Sequence, residues 1–196
     1  MPKIVDHEQR KIKIAEATWN VIVQDGLEKA SVRNIAKEAN MSAGSLRHYF
    51  STQSELFAFC MQLVSDRVKN RAAQKSYDGS SLEAMETLLS EFLPIDEDRR
   101  TEMEVWLIFS SKTLVDPTLE ELSQLIYDEM RQAVSTVVEG LIDIGLARGD
   151  LDKQLEIERL YALIDGMAIH GILHPDRFSV KKTQTTLQYH LKALCK

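Results

Sequence analysis

The sequence predicts an all-α fold of about nine helices, a small N-terminal head followed by a larger body. Three observations carry that expectation. Apolar residues recur at three- and four-residue spacing along nearly the whole chain. Ile14, Ala17, Thr18, Val21 and Ile22 show it early; Leu119, Leu122, Ile126, Met130, Ala133, Val137 and Leu141 show it later. That spacing is one face of an α-helix, and no stretch alternates with the period of two that a strand requires. Helix punctuation is frequent: Ser31, Ser42, Thr52, Asp116 before Pro117, and Ser179 can open helices, while Gly26, Asn40 and Gly145 can close them. Finally, 196 residues that are 44% hydrophobic and 28% charged suffice for one ordinary domain or two small ones sharing a core.

Several classes are excluded on the same grounds. No apolar run approaches the roughly 18 residues of a membrane span. The stretch Met1 to His7 lacks an apolar signal core, so a cytoplasmic location is expected. Cys60 and Cys195 lie far apart and outside any CxxC or Cys/His array, which predicts reduced thiols. No catalytic constellation is present, neither GxSxG, Gly-rich phosphate loop, nor Cys/His pair with an orienting acid, so no catalytic residue and no cofactor is expected. His170 and His174 stand at i, i+4 near Asp165 and Asp176, but without HExxH or a cysteine partner they predict no metal site.

In order, residues 1–9 read as an arm, and a first helix follows to Gly26. Ser31 caps a second helix with Val32, Ile35, Ala36 and Ala39 on one face. Asn40 ends it in the left-handed conformation, and Ser42 caps a short third helix anchored by Leu46 and Phe50. A fourth helix opens with the capping box Thr52-x-x-Glu55 and runs to about Lys75. Tyr77-Asp78-Gly79-Ser80 marks a break, and Ser80-x-x-Glu83 caps a fifth helix ending near Leu93-Pro94. Val105-Trp106-Leu107-Ile108-Phe109 gives the sixth helix no solvent face, so it should run through the middle of the body. Asp116-Pro117 starts a long seventh helix. The eighth, about 153–173, is apolar nearly all round, and the ninth carries Val180, Thr183, Leu187, Leu191 and Leu194 in a narrow stripe.

Charge divides with the chain. Residues 1–75 hold 12 Lys and Arg against 8 Asp and Glu, a net +4; residues 76–196 hold 12 against 22, a net −10, giving −6 in all. A basic head on an acidic body suits a protein that docks one end on DNA. The small residues Ala43, Gly44 and Ser45 on the exposed first turn of the third helix suit close approach to a major groove.

The stretch from Ser31-Val32-Arg33-Asn34-Ile35-Ala36 through Ser42-Ala43-Gly44-Ser45-Leu46-Arg47-His48-Tyr49-Phe50 resembles the TetR family of bacterial one-component repressors. Arg47 stands where an aromatic residue is commoner, and Gln53 where the family usually has a basic one. From about Trp106 to Phe178 the chain resembles the BetI-like branch of the family. Trp106-Leu107-x-Phe109, Asp116-Pro117-x-Leu119, Leu163-Ile164-Asp165-Gly166-Met167 and the histidine-proline stop carry that likeness.

The resemblance implies an N-terminal three-helix helix-turn-helix head at 1–50, extending into the start of the helix at 51–75. A C-terminal helical domain for effector binding and dimerisation, 51–196, follows. It implies a homodimeric repressor, released from a palindromic double-stranded DNA operator by a small-molecule effector. The alternative is an all-helical dimeric interaction protein without DNA binding. Expected DNA contacts are Ser31, Arg33, Ala43, Gly44, Ser45, Arg47, His48 and Tyr49. Trp106, Phe109, Tyr127, Met130, Met167 and His170 are candidates for an effector pocket, with plain core as their other reading. The eighth and ninth helices, through Ala162, Gly166, Ile169, Leu187 and Leu191, are expected to pair across a two-fold axis.

Overall fold

The computed structural model describes residues 2–74 and 82–196, with side chains from His7 onward. Helix α1 (Pro2–Asp25) begins eight residues before Arg10, so the expected N-terminal arm is replaced by helix. After a 3-10 turn (Leu27–Lys29) come α2 (Val32–Glu38), α3 (Ala43–Arg47) and α4 (Gln53–Gln74). Then follow α5 (Leu82–Leu89), a 3-10 turn (Ser90–Phe92), α6 (Glu97–Thr113) and a second such turn (Pro117–Leu119). The chain closes with α7 (Glu120–Asp143), α8 (Lys153–Leu173) and α9 (Val180–Ala193). The expected break at Tyr77–Ser80, the cap at Ser80 and the end of the fourth helix at Lys75 lie outside the described residues.

Packing divides the chain into two compact units, Met1–Arg67 with Glu104–Ser123, and Val68–Met103 with Gln124–Lys196. In the first, Ile14, Ile22, Ile35, Leu46, Phe50, Leu56, Phe57 and Phe109 are buried together. Phe57 and Phe109 meet at 5.1 Å between ring centroids, so the C-terminal half of α6 is part of the core beneath the head. Val105 and Phe109 are buried while Trp106, Leu107 and Ile108 keep part of their surface. The sixth helix is therefore not surrounded. A 100° turn per residue spreads five apolar residues around the axis, and one side of them faces out. Asp116 opens the 3-10 turn rather than α7 itself, accepting from the Thr118 amide at 3.2 Å and the Thr118 hydroxyl at 2.6 Å.

In the second unit the core is Leu89, Leu93, Val134, Val138, Leu141, Leu160, Ile164, Leu187 and Leu191. Leu187 and Leu191 are 0% exposed within one chain. Expected as dimer contacts, they have no surface left for a second copy; the narrow stripe of α9 fills its own protomer's core.

Beside that core lies a buried ionic cluster that sequence patterning gives no hint of. The Arg71 guanidinium donates to both oxygens of Glu102, at 2.8 and 2.6 Å, and to Glu91 at 2.8 Å. Arg99 donates to both Glu91 oxygens. Glu91 and Glu102 are buried, which is sustainable only because each carboxylate is paired and hydrogen-bonded. Arg100 donates to the carbonyls of Gly171 and Ile172, both at 3.2 Å, and so closes the C-terminal end of α8.

Candidate nucleic-acid interface and effector site

The head is built by caps. Ser31 accepts from the Asn34 amide and Ser42 from the Ser45 amide at 3.0 Å, so each short helix starts where its serine stands. Between them Asn40 takes φ 53°, and the chain closes α2 with the Met41 amide on the Ala36 carbonyl at 2.9 Å and the Asn40 amide on Lys37 at 3.1 Å. This paired closure fixes the direction in which α3 leaves α2. The capping box of α4 is shifted by one residue: Thr52 accepts from the Glu55 amide, while Glu55 accepts from the Ser51 amide at 2.7 Å.

On α3 the division of faces is complete. Leu46 and the following Phe50 are buried, whereas Ala43, Gly44, Arg47 and His48 are exposed and Ser45 and Tyr49 half-exposed. Ser31 and Arg33 of the α2 start are exposed as well. Among the described residues, a Cβ on Gly44 would meet only the Ser42 hydroxyl, at 3.8 Å, so a flat wall can approach this backbone. Gln53 lacks the charge expected there; its amide instead donates to the Ala30 carbonyl at 2.7 Å and ties the start of α4 to the chain entering α2. Ser54 donates to Asp116 at 3.1 Å, an anchor from the first turn of α4 to the turn after α6. The Asp116 carboxyl lies below its ordinary range, chiefly through the Thr118 hydroxyl.

The six pocket candidates divide between the two units, Trp106 and Phe109 in the first and Tyr127, Met130, Met167 and His170 in the second. Phe109 is committed to Phe57 in the first unit, which also contains Trp106. Met167 is core of the second unit, and His170 is exposed, 6.2 Å from the His174 ring and 6.0 Å from that of Phe178. Tyr127 has an aromatic companion on the next helix. Its ring lies 4.8 Å from that of Tyr161, between α7 and α8. Burial, then Asp165, Tyr127, Glu158 and Asp128, push the Tyr161 phenol upward, and every one of those neighbours carries or gains negative charge. Asp165, half-buried one turn along from Tyr161, is pushed up to about 6 by burial alone. The signal available in the sequence was a tyrosine and an aspartate at i, i+4 inside an otherwise apolar helix.

On one side of α8, Leu155, Ala162 and Leu173 are exposed and Gly166 and Ile169 half-exposed, an apolar stripe that the described residues leave largely uncovered.

A short, capped two-helix element with a buried rear and a bare front, carried on an all-helical body, defines a helix-turn-helix regulator. The chain belongs to the TetR family of bacterial regulatory proteins: that family's N-terminal model matches residues 14–59, and the model for the C-terminal region of BetI-type transcriptional repressors matches residues 81–196. The HTH-type transcriptional regulator PksA of Bacillus subtilis is 40% identical over 196 residues, covering 100% of this chain and 94% of that one. A crystal structure of a transcriptional regulator from Rhodococcus sp. Rha1 superposes with a TM-score of 0.81 at 30% identity, over 94% of this chain and 95% of that chain. A regulator from Saccharomonospora viridis, solved in complex with choline, shares the fold with a TM-score of 0.81 at 23% identity, over 94% and 96% of the two chains. The chain is thus a DNA-binding transcriptional regulator rather than an enzyme, of a family whose members act as dimers and bind small-molecule effectors.

Proposed function

We propose that this chain is a homodimeric repressor that holds a palindromic operator with two α3 helices and leaves it when an organic cation binds the second unit. The bare front of α3 carries this reading. Ala43, Gly44 and Ser45 face the base edges, Arg47, His48 and Tyr49 follow on the same element, and Ser31 and Arg33 take the phosphate backbone. Two such helices must stand about 34–36 Å apart, or one further helical turn, to serve one duplex. The uncovered stripe of α8 supports pairing through Ala162, Gly166 and Ile169, with Leu155 and Leu173 at its ends.

The effector class follows from Tyr127, Tyr161 and Asp165. Two tyrosine rings offer their negative faces, and the carboxyl beside them has no ion-pair partner among the described residues. An ammonium group answers both needs at once, through cation–π contact and charge. The choline held by the Saccharomonospora viridis regulator is a ligand of this chemistry. Helices α4 and α6 each run from one compact unit into the other, so both are available to carry the effect of that binding to the head.

Fluorescence anisotropy with a duplex from upstream of the protein's own gene, against a random duplex of equal length, tests the repressor reading. Preference for the upstream duplex is expected, with binding to both duplexes weakened in Arg47→Ala and binding to the upstream duplex weakened by choline or a larger quaternary ammonium compound. Equal binding of both duplexes at all salt concentrations would refute operator recognition. A wild-type thermal midpoint unmoved by any quaternary ammonium would refute the effector class.

A further inference from the structure

His7 of α1 lies against Tyr49, with ring centroids 4.9 Å apart and planes inclined by 37°. One turn further along, the Lys11 ammonium stands 5.4 Å from the centre of the Phe50 ring and 5.5 Å from that of Phe59. Two successive turns of α1 are therefore seated along the segment that ends α3 and begins α4. His7 itself is exposed, and neither ring nitrogen is hydrogen-bonded to a described residue. The imidazole thus rests on one aromatic ring and is otherwise open to solvent. Arg47 and His48, exposed on the adjoining element, share that surface.

We propose that His7 is a titratable phosphate contact flanking the recognition helix, oriented by Tyr49, so that affinity for DNA rises as pH falls through the imidazole range. The inference rests on the DNA-binding role of α3 argued above. An imidazole gains its proton between about pH 5 and 8, and the imidazolium then has two donors and a full positive charge. A phosphate oxygen is the acceptor that rewards both, and DNA binding accordingly draws a proton onto the ring. Around His7 the charged and titratable groups are Glu8, Arg10 and Lys11 on its own helix and Arg47, His48 and Tyr49 beyond it. Glu55 of α4 is engaged by the Ser51 amide.

The test compares wild type with His7→Gln, His7→Lys and His48→Gln, all on the full chain and with folding checked by circular dichroism. Affinity for the upstream duplex and for a random duplex is read at about pH 6 and about pH 8 across a salt series. Wild type should bind up to about a hundredfold more tightly at the lower pH, about tenfold for a one-unit shift in each of the dimer's two His7 side chains. His7→Gln should lose that difference on both duplexes and lower the salt slope at the lower pH by about 0.9 for each protomer, about 1.8 for the dimer. His7→Lys should keep tight binding at both pH values, because its charge does not titrate there. Should His7→Gln retain the wild-type pH difference and salt slope, or should His48→Gln alone remove them, the assignment to His7 is wrong. Failure of the wild type to bind either duplex would instead remove the DNA-binding role on which the inference rests.

Discussion

Leu46 and Arg47 are neighbours on α3 with opposite surroundings, and the difference separates stability from function. Leu46 is 1% exposed, so Leu46→Ala leaves a cavity and should cost about 2–5 kcal/mol in chemical unfolding. Arg47 is exposed and touches nothing whose loss would unfold the head. Arg47→Ala should leave the unfolding midpoint in place and reduce the salt slope of DNA binding by about 0.9 for each protomer, about 1.8 for the dimer, read by anisotropy across a salt series. Asp165 adds a pH signature. Its carboxyl is pushed up to about 6 by burial, so the native state holds its proton more firmly than the unfolded chain. That contribution is full below the ordinary carboxylate range, about pH 4, and is lost as pH rises through about 6. Asp165→Asn should therefore raise the thermal midpoint at neutral pH and match wild type near pH 4. A bound quaternary ammonium should stabilise wild type more at neutral pH than at pH 5, since only the carboxylate attracts it.

At the scale of elements, what the sequence made legible was local. Ser31, Ser42, Ser179 and Asn40 act through hydrogen bonds to residues within four positions, and the structure places them in those roles. Asn40→Ala should cost up to about 1 kcal/mol, because at φ 53° alanine keeps the crowded Cβ and loses the side-chain amide that reaches the Glu38 carbonyl, while Asn40→Gly removes that Cβ and should be close to neutral. Partnerships across the chain were not legible. Leu187 and Leu191 show the same apolar stripe whether it faces its own core or a second copy, and the pattern alone cannot choose. Phe109 sits 52 positions from the Phe57 ring it packs on, and nothing local announces the pairing. The Arg71, Glu91, Glu102 and Arg99 cluster is likewise invisible, because charged residues on helices read as solvated surface. Arg71→Met, which leaves two buried carboxylates short of a cation, should destabilise by about 3–5 kcal/mol in urea unfolding.

At the scale of the whole molecule, two glycines of α8 separate folding from assembly. A Cβ on Gly171 would lie 2.8 Å from Cγ of Pro94, inside the protomer's own packing. A Cβ on Gly166 meets nothing within 4 Å, because its side of the helix opens onto the uncovered stripe with Ala162, Ile169, Leu155 and Leu173. Gly171→Ala should therefore lower the thermal midpoint of the chain whatever its oligomeric state. Gly166→Arg has room on a single chain, so it should fold; what it removes is close approach of a second α8, and it adds a charge that the contact would have to bury. The expected result in analytical ultracentrifugation is a folded monomer for Gly166→Arg and a dimer for wild type at the same concentration. DNA binding gives the independent reading. A dimer gains its affinity for a palindrome by holding two half-sites at once, and separate monomers forfeit that joint engagement. Gly166→Arg should consequently lose preference for the upstream duplex while Arg47, His48 and Tyr49 remain intact. A Gly166→Arg protein that stays dimeric and keeps that preference would place the two-fold axis on another face of the molecule.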